Sequence, residues 1–505
     1  MNAIDRQCIG VVGAGVMGRG IAQLFAQAGH RVLCHDAAAA SLANAMEDVR
    51  GQWRRMGEKG RLSAEQIAQA SSNLCAVDSL DALAECDLVV EAIVERLDAK
   101  QQLLAELEAR VRPDTILASN TSSLMIAAIA AECRHPERVA GLHFFNPVPL
   151  MKVVEVIAAV RTSPAVVDAL QALVASTGHR AVTAADQPGF LINHAGRGLY
   201  TEGLRLLEEQ VCDHAGIDRV LREALGFRMG PFELMDLTGL DVSGQVMASI
   251  YEQFQQEPRF RPSSLVPPRV AAGLYGRKRG EGWYRYEGGR IVRSETPAVP
   301  PLTFDGAVWV DAEAPDAVAL RERIQARGLT LVDAPQTADL LLIQPWGEDA
   351  STVCARRGLD ATRCVAVDPL TGLAGHLTLM LTVATHPSVR DAAWALLASD
   401  TLPVTVIQDS PGFICQRVLA TLVNIACDIA QRGIASVTDI DEAVRIGLGY
   451  PQGPLAWGDQ IGAQRVLTIL HNLHTERGDP RYRASPWLVR RARLGLPLRQ
   501  AATPG

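Results

Sequence analysis

Apolar and polar positions in the first part of the chain alternate in a pattern typical of a parallel sheet with helices. Residues 8–18 read CIGVVGAGVMG, an apolar run that ends in a glycine-rich turn. Residues 20–30 then carry apolar positions at helical spacing, and residues 31–36, RVLCHD, form a second short apolar run. This order predicts a strand, a tight turn, a helix and a second strand.

The three glycines of this turn have the spacing GxGxxG between a predicted strand and a predicted helix. Gly13 permits the tight turn, Gly15 lets the backbone approach a pyrophosphate, and Gly18 lets the helix lie close to the strand. Val16 and Met17 stand at the start of the helix, where free N–H groups are available to phosphates. The turn is therefore predicted to bind a dinucleotide in a Rossmann-type domain.

Asp36 indicates which dinucleotide is bound. It stands 23 positions after Gly13, at the end of the second predicted strand. There its carboxylate would accept hydrogen bonds from the adenosine ribose and repel a 2′-phosphate. Residues 37–42, AAAASL, contain no arginine that could bind such a phosphate. The sequence predicts NAD as the cofactor, rather than NADP.

Polar residues stand at the ends of two further predicted strands, at residues 87–93 and 115–118. In an open α/β sheet the ligands lie at the carboxyl ends of the strands, so these residues are predicted to lie near the cofactor. They are Glu91, Glu95, Lys100 and Asn120. The alternative is a solvated helix start for the charged residues, and a helix cap for residues 119–123, SNTSS.

Residues 141–156, GLHFFNPVPLMKVVEV, place one imidazole and one carboxylate in a segment otherwise suited to a core. A strand, a proline-rich turn from Asn146 and a returning strand would bring Glu155 beside His143. Oxidation of a carbinol by hydride transfer needs a base for the hydroxyl proton, and a carboxylate on the other ring nitrogen fixes the tautomer of a histidine base. The pair is predicted to be a dehydrogenase base and its partner. The alternative is a buried histidine bonded to a carbonyl oxygen, with the glutamate on a strand edge.

Six motifs together resemble those of the 3-hydroxyacyl-CoA dehydrogenase family. They are VVEAIVE at 89–95, SNTSSL at 119–124, HFFNPVP at 143–149, DQPGFLIN at 186–193, MGPFELMDLTGLD at 229–241 and GRKRGEGWYRY at 276–286. The resemblance covers residues 8 to about 290 and implies NAD-dependent oxidation of (S)-3-hydroxyacyl-CoA to 3-oxoacyl-CoA. Carried over residue by residue, it implies His143 as general base and Glu155 as its partner. It implies Ser122 and Asn193 as hydrogen-bond donors to the substrate oxygens.

The resemblance also implies coenzyme A contacts from a basic segment after the second strand, here residues 50–63. The candidate contacts are Arg54, Arg55, Lys59, Arg61 and Asn146. The alternative for the four cations is a solvated helical face. One departure from the family pattern is His194, because arginine usually follows the catalytic asparagine.

The second half of the chain repeats the first with an offset of 223 positions. DQPGFLIN at 186–193 returns as DSPGFICQ at 409–416, with Gln416 in place of the asparagine. The second half has no GxGxxG turn and no His/Glu pair in this register, so it is predicted to bind no NAD and to do no chemistry. Two copies of the helical domain could pack as a pseudo-dimer within a monomer, and the alternative is a homodimer.

The repeat predicts an α/β Rossmann-type domain and an all-α domain, followed by a degenerate copy of both. The predicted domains are an NAD-binding Rossmann domain at 1–186, a helical domain at 187–290, a reduced Rossmann-like domain at 302–408 and a second helical domain at 409–505. Within the Rossmann copies, residues 86–93 are matched to 338–345, and residues 117–124 are loosely matched to 366–373.

Composition narrows the class of protein. A hydrophobic fraction of 48% with 21% charged residues is typical of a globular protein, and a net charge of −7 argues against a nucleic-acid or membrane partner. Ten scattered cysteines without a CxxC pair predict no metal site and suit a reducing cytoplasm. The first residues lead directly into a strand, so we expect no signal peptide, no preceding hydratase domain and a cytoplasmic enzyme.

The double-length arrangement resembles the 3-hydroxyadipyl-CoA dehydrogenases of phenylacetate breakdown and related 3-hydroxybutyryl-CoA enzymes. A dicarboxylic acyl group would need a cation at the far end of its pocket. Arg197 and Arg228 are candidates, and either could instead be a surface charge. Further alternatives are a general β-oxidation enzyme, a related sugar-acid dehydrogenase and a non-catalytic scaffold on the same fold.

Overall fold

The computed structural model describes residues 7–293, 295, 297–399 and 401–502. The chain forms two compact units. The first contains Met1–His194 and Arg432–Leu448, and the second contains Ala195–Gln431 and Gly449–Gly505.

Strands and helices are numbered in chain order. The strands are β1 (Cys8–Val12), β2 (Arg31–His35), β3 (Leu74–Ala76), β4 (Leu88–Glu91), β5 (Ile116–Ser119), β6 (Val139–His143), β7 (Val153–Ala158), β8 (Arg180–Ala185), β9 (Arg285–Glu287), β10 (Arg290–Val292), β11 (Ala307–Val310), β12 (Thr330–Leu331), β13 (Leu340–Ile343), β14 (Cys364–Val367), β15 (Leu377–Leu381) and β16 (Val404–Ile407). The helices are α1 (Val16–Gln27), α2 (Ala39–Glu58), α3 (Ala64–Asn73), α4 (Leu97–Glu108), α5 (Ile126–Ile129), α6 (Pro164–Ser176), α7 (Ile192–Ala195), α8 (Arg197–Glu208), α9 (His214–Leu225), α10 (Pro231–Thr238), α11 (Leu240–Gln253), α12 (Val266–Ala271), α13 (Ala317–Ala326), α14 (Ala350–Arg357), α15 (Pro387–Leu397), α16 (Ile414–Gln431), α17 (Val437–Glu442), α18 (Pro454–Ile461), α19 (Ala463–Arg477) and α20 (Pro486–Leu494).

An eight-stranded sheet, in the order β3-β2-β1-β4-β5-β6-β7-β8, forms the centre of the first unit. All neighbouring strands are parallel except β6 and β7. Ile9 and Val11 belong to one buried apolar cluster and Val12 belongs to another, so both faces of the sheet are covered. This architecture confirms the predicted Rossmann-type fold, and it brings the carboxyl ends of β1, β2, β4 and β5 to one edge.

The reversed strand β7 determines where the predicted His/Glu pair lies. The chain turns back after β6, and β7 then runs antiparallel to it. In this register His143, the last residue of β6, stands directly opposite Glu155. Directly opposed residues of an antiparallel pair hold their side chains on the same face of the sheet and close together.

Helix α16 forms the centre of the helical part of the second unit. Residues 414–427 are all buried, and they include the polar side chains of Gln416, Arg417 and Asn424. It packs against α8, α18, α19 and α20. A helix buried on all sides lies inside a core, and its buried polar residues have partners, such as Glu202 for Arg417.

A six-stranded sheet, in the order β12-β11-β13-β14-β15-β16, forms the other part of the second unit. It has its own buried apolar cluster, which includes Val308, Leu340 and Val365. As in the larger sheet, one pair of neighbours, β14 and β15, is antiparallel and the others are parallel. The smaller sheet confirms the predicted reduced repeat of the Rossmann domain.

One predicted correspondence within the repeat is wrong. The sequence predicts a loose match of residues 366–373 to residues 117–124, which comprise the end of β5 and the loop after it. In the structure β14 pairs antiparallel with β15, as β6 pairs with β7. Asp368, just after β14, extends this pairing because its N–H donates to the Thr378 carbonyl oxygen at 3.0 Å. Residues 366–373 therefore correspond to the end of β6 and the loop that follows it.

Residues 432–448 come from the second half of the chain and pack within the first unit. There the Ala185 N–H, at the end of β8, donates to the Ile434 carbonyl oxygen at 2.8 Å. In the second unit the Gln408 N–H, after β16, donates to the Val211 carbonyl oxygen at 2.9 Å. Gln408 corresponds to Ala185 and Ile434 to Val211 at the repeat offset of 223, so each half lends a segment to the sheet of the other.

No helix in the described part of the chain is long and apolar enough to cross a bilayer. Nor do three or more His, Cys, Asp or Glu side chains of the described residues come together in an arrangement that could hold a metal ion.

Candidate active site

The glycine turn has the geometry that a bound dinucleotide requires. Gly13 has a φ of 102°, and a Cβ there would lie 2.6 Å from the Ala92 carbonyl oxygen. A Cβ on Gly18 would lie 1.8 Å from the Gly13 carbonyl oxygen, so the helix can approach the strand only with glycine at that position. A Cβ on Gly15 would meet nothing within 4 Å, which leaves open space at the N-terminus of α1. That N-terminus has no side-chain cap, and its N–H groups are free for phosphate oxygens.

Asp36 lines a cavity of about 570 Å³ next to this turn. Its Oδ2 accepts a hydrogen bond from the Ala14 N–H at 2.7 Å, and its Oδ1 accepts one from the Ala38 N–H at 2.8 Å. These bonds fix the carboxylate beside Gly13 and Gly15. Neither lysine nor arginine lines the cavity, so the described residues suit a ribose with a free 2′-hydroxyl and fit NAD.

Glu91 and Lys100 form a buried ion pair behind the cofactor edge of the sheet. The Lys100 Nζ lies 2.9 Å from both carboxylate oxygens of Glu91, and both side chains are almost completely buried. The Ser119 hydroxyl donates to the same carboxylate. Asn120 continues the connection, since its N–H donates to the Glu91 carbonyl oxygen at 2.9 Å and its Oδ1 accepts from the Phe144 N–H at 2.8 Å. These contacts tie the ends of β4, β5 and β6 together.

Glu95 organises the serine-rich loop that carries Ser122. Its Oε1 accepts hydrogen bonds from the Thr121 hydroxyl at 2.6 Å, the Ser122 N–H at 3.0 Å and the Ser123 hydroxyl at 3.0 Å. Burial acts to raise the pKa of Glu95, yet the hydrogen bonds from this loop and the nearby Lys100 ammonium hold that pKa below its usual range. The Ser122 hydroxyl is only 3.5 Å from the same oxygen, so this carboxylate holds it weakly.

His143 and Glu155 form the central pair of the site. The His143 Nδ1 lies 2.5 Å from the Glu155 Oε2, and Glu155 is completely buried. The second carboxylate oxygen, Oε1, accepts from the Leu191 N–H at 2.9 Å and the Ile192 N–H at 2.7 Å. Because both oxygens of Glu155 accept hydrogen bonds, its carboxylate is fixed and orients the imidazole. None of the described residues forms a hydrogen bond with the His143 Nε2.

The segment that holds Glu155 also carries Asn193, which follows Ile192 directly in the chain. Gly189 has a φ of 73° and Phe190 has a φ of 47°, a left-handed conformation that is costly for a phenylalanine. The Phe190 ring packs edge-on against the His143 imidazole, with ring centroids 5.7 Å apart. Sequence reasoning missed this packing role of Phe190, although the PGF triplet recurs in the second half, where Phe413 has a φ of 32°.

Three of the predicted coenzyme A contacts line a second cavity of about 480 Å³ in the first unit. Arg55, Lys59 and Arg61 line it together with Lys152, and none of its lining residues is acidic. Arg54 is exposed and lies outside this lining, as does Asn146. Lys152 was missed because it stands alone between two strands, and only the fold brings it to the other cations.

The second half has a buried polar pair at the corresponding place. Asp368 is fully buried after β14, and the Gln416 Nε2 donates to its Oδ1 at 2.9 Å. The Gln416 Oε1 accepts from the Gly347 N–H at 2.8 Å. Burial raises the pKa of Asp368 to about 6. Gln416, which stands in place of Asn193, thus bonds to the carboxyl group of Asp368.

Comparison with known proteins identifies the class. Residues 8–187 match the family model described as 3-hydroxyacyl-CoA dehydrogenase, NAD binding domain. Residues 189–286 and 412–503 match the model described as 3-hydroxyacyl-CoA dehydrogenase, C-terminal domain. The chain belongs to the 3-hydroxyacyl-CoA dehydrogenase family. It is therefore an NAD-dependent oxidoreductase that converts (S)-3-hydroxyacyl-CoA to 3-oxoacyl-CoA, and the double match of the C-terminal domain confirms the repeat.

Individual relatives include proteins of both full and half length. The chain is 40% identical over 492 residues to the 3-hydroxyadipyl-CoA dehydrogenase of Escherichia coli (strain K12), which covers 97% of this chain and 98% of that protein. It is 37% identical over 284 residues to the 3-hydroxybutyryl-CoA dehydrogenase of Bradyrhizobium diazoefficiens, covering 56% of this chain and 97% of that one. The crystal structure of a 3-hydroxybutyryl-CoA dehydrogenase from Escherichia coli K12 matches with a TM-score of 0.85 and 38% identity, over 97% of this chain and 99% of that chain.

Proposed function

We propose that this enzyme oxidises (S)-3-hydroxyadipyl-CoA to 3-oxoadipyl-CoA with NAD in the breakdown of phenylacetate. The observation that supports this acyl group is the 40% identity, over 97% of the chain, to the 3-hydroxyadipyl-CoA dehydrogenase of Escherichia coli. A second candidate substrate is 3-hydroxybutyryl-CoA. The full-length structural match to a protein of that name supports it.

In the proposed mechanism His143 is the general base. NAD, when bound, supplies the hydride acceptor. As hydride leaves the carbinol carbon, the His143 Nε2 takes the hydroxyl proton and the ketone forms. The carboxylate of Glu155, 2.5 Å from Nδ1, keeps the other proton on Nδ1 and stabilises the imidazolium that results.

Ser122 and Asn193 are the proposed hydrogen-bond donors to the substrate oxygens. Glu95 fixes the backbone of the Ser122 loop and holds the Ser122 hydroxyl only weakly, which leaves the hydroxyl free to bind substrate. Asn193 follows Ile192, whose N–H bonds to Glu155, so the base and the donor share one rigid support.

The remaining predicted site residues are proposed to bind the cofactor and the coenzyme A tail. Gly13, Gly15, Val16, Met17, Gly18 and Asp36 would hold the pyrophosphate and ribose, and Glu91, Glu95, Lys100 and Asn120 would shape the nicotinamide side. The cavity lined by Arg55, Lys59, Arg61 and Lys152 suits a phosphate-rich tail, since four cations and no carboxylate line it. Arg54 and Asn146 stay predicted contacts beside it.

We further propose that one chain is the functional unit, a pseudo-dimer of its two halves, and that it works in the cytoplasm. The reciprocal bonds Ala185–Ile434 and Gln408–Val211 support the first point, because each half already occupies the position that a partner subunit would offer. Ten free cysteines suit a reducing compartment. Light scattering of the full chain should give the mass of one chain, and a stable dimer would contradict the pseudo-dimer.

Initial rates of NADH formation test the proposed substrate. The (S)-3-hydroxy esters of adipyl-, hexanoyl- and butyryl-CoA are compared at saturating NAD. The adipyl ester should have the highest kcat/KM. A clear preference for the butyryl ester would favour the second candidate, and equal rates with all three esters would contradict a dedicated adipyl enzyme.

A further inference from the structure

A short piece of the second half packs inside the first unit, against the strand that carries Glu155. Residues 432–448 belong to that unit, and they include the π-helical turn Ala443–Gly447. This turn packs against β7, and Gly447 at its end is buried. The turn therefore lies in the core of the unit that holds the proposed base and its partner.

At Gly447 the turn approaches two apolar side chains so closely that a larger residue has no room. A Cβ there would lie 2.6 Å from the Ile192 Cδ1 and 3.2 Å from the Val153 Cγ1. Both side chains are completely buried, so neither can turn aside into solvent. The backbone at Gly447 does not have a positive φ, so its conformation does not require glycine. Since glycine destabilises a helical turn relative to alanine, the close approach explains the glycine.

The two side chains beside Gly447 belong to the two segments that hold the proposed site. The Ile192 N–H donates to the Glu155 Oε1 at 2.7 Å, and Asn193 is the next residue. Val153 stands two positions before Glu155 on β7, so their side chains lie on the same face of the sheet. Gly447 thus adjoins both the strand of the carboxylate and the segment whose N–H groups fix that carboxylate.

The internal repeat allows a comparison at the same two positions. At the offset of 223, Gly447 corresponds to Ala224 and Ile192 corresponds to Cys415. The first unit therefore combines glycine with isoleucine, and the second combines alanine with the smaller cysteine. A larger residue at one position goes with a smaller residue at the other, as expected of two positions that share one space in a core.

We infer that Gly447 is a positioning residue for the reaction of the first half. Because it has no side chain, Ile192 keeps the conformation in which its N–H bonds to Glu155, and Asn193 stays in place for the substrate. This inference rests on the proposed function, in which Glu155 orients His143 and Asn193 binds a substrate oxygen. The second half, which is predicted to do no chemistry of its own, thereby supports the chemistry of the first.

The test introduces the missing Cβ and then removes the atom that it would meet. The assay is NADH formation by the full chain from an (S)-3-hydroxyacyl-CoA ester that the wild type oxidises, with kcat and the KM for NAD determined separately. Gly447→Ala should lower kcat on the order of 10- to 100-fold and leave the KM for NAD within about twofold, because a small displacement of catalytic groups has an effect of this size. A defect of folding alone would lower the melting temperature and leave the turnover of the folded enzyme unchanged. The double variant Gly447→Ala/Ile192→Val lacks the Cδ1 and should recover kcat to within about threefold of Ile192→Val alone.

Gly458→Ala is the matched control. Gly458 also lies in a helix, α18, without a positive φ, and a Cβ there would meet the Leu498 Cδ1 and, at 2.8 Å, the Val423 Cγ1. It belongs to the second unit, whereas all four proposed catalytic residues belong to the first. The control should lose stability and keep the kcat of the wild type.

Several results would overturn the inference. They are a Gly447→Ala enzyme with the kcat of the wild type, an equal loss of kcat in Gly458→Ala, and a double variant that stays as slow as Gly447→Ala. If Gly447→Ala does not fold, the double variant should fold and turn over, and its failure to fold would count equally against the inference.

Glu155→Gln, measured alongside, tests the proposed function separately. If Glu155→Gln loses kcat and Gly447→Ala does not, only the role of Gly447 is wrong. If Glu155→Gln keeps the kcat of the wild type, the proposed role of the carboxylate is wrong, and the role of Gly447 is wrong with it.

Discussion

Replacement of Glu155 by glutamine is the most informative single change in the proposed site. The Glu155 Oε1 accepts from the Leu191 and Ile192 N–H groups, and the Oε2 bonds to the His143 Nδ1 at 2.5 Å. A glutamine has one acceptor oxygen and one NH₂ group, so it can satisfy only one side of this arrangement.

The acceptor oxygen of the glutamine should face the backbone N–H groups of Leu191 and Ile192. An NH₂ group turned toward two buried N–H donors would leave both unsatisfied, at a cost of about 1–3 kcal/mol each. The glutamine therefore points its oxygen at the Leu191 and Ile192 N–H groups and its NH₂ at the His143 Nδ1. That Nδ1 must then be an acceptor, which moves the ring proton to Nε2. A histidine with its proton on Nε2 cannot take the hydroxyl proton of the substrate.

We expect Glu155→Gln to lower kcat by about 10³- to 10⁴-fold, the size of loss known for a base held in the wrong tautomer. That corresponds to about 4–5.5 kcal/mol of transition-state stabilisation. The assay is NADH formation at saturating NAD and acyl-CoA, with thermal unfolding measured in parallel.

Glu108→Gln is the matched control. Glu108 also accepts from two backbone N–H groups, of Arg134 at 2.6 Å and His135 at 2.9 Å, but it does not contact His143. Glu108 also pairs with Arg138 at 3.6 Å, so the control should lose at least as much stability, with kcat within about threefold of the wild type. A Glu155→Gln enzyme with kcat within tenfold of the wild type would refute the role given to this carboxylate.

Three further predictions concern the cofactor turn, the second half and the cation-lined cavity. Gly15→Ala should fold with an unchanged melting temperature, because a Cβ there meets only open space, and should lose NAD affinity, because that space is where the pyrophosphate is proposed to bind. Gly18→Ala should instead be destabilised by its clash with the Gly13 carbonyl oxygen. Calorimetry and NAD titration distinguish the two variants, and normal NAD binding by Gly15→Ala would contradict a pyrophosphate site at this turn. Asp368 keeps its proton in the folded protein up to about pH 6, so its contribution to stability is fully present below about pH 4 and is lost as the pH rises to 6. The free energy of unfolding of Asp368→Asn should therefore gain about 3 kcal/mol relative to the wild type between pH 4 and pH 7, measured by urea titration, and a constant difference would contradict the raised pKa. Arg61→Gln should raise the KM for acyl-CoA about 3- to 10-fold and weaken its dependence on salt, and a KM equal to that of the wild type at low salt would argue against a phosphate contact.

The features that sequence predicts well here depend on neighbours in the chain. The GxGxxG turn and Asp36 lie within one strand–helix–strand unit. Their relative positions therefore follow from their spacing in the sequence. The opposition of His143 and Glu155 follows from two strands joined by a short turn, so the register could be inferred before the fold was known.

Contacts between distant segments could not be predicted in the same way. The bonds from Leu191 and Ile192 to Glu155 join residues 36 and 37 positions apart, and they depend on how the segment after β8 crosses the sheet. The placement of Lys152 beside Arg55, Lys59 and Arg61 has the same origin. The burial of Arg197 has no signal in the sequence at all, since an arginine at the start of an amphipathic helix is usually solvated.

The loose match of residues 366–373 to 117–124 failed for a related reason. That segment retains few distinctive residues, and its correct partner is decided by the antiparallel pairing of β14 with β15. In this segment the strand pairing is kept although few distinctive side chains are.

The most direct test of the account is NADH formation from (S)-3-hydroxyacyl-CoA by the wild type and by His143→Gln. Purified full-length enzyme, NAD and the adipyl, hexanoyl and butyryl esters are the only components required. The account predicts turnover by the wild type, greatest with the adipyl ester, and a loss of at least 10³-fold in kcat with His143→Gln, whose amide cannot act as a base. No turnover of any ester by the wild type, or turnover that survives the loss of His143, would contradict it.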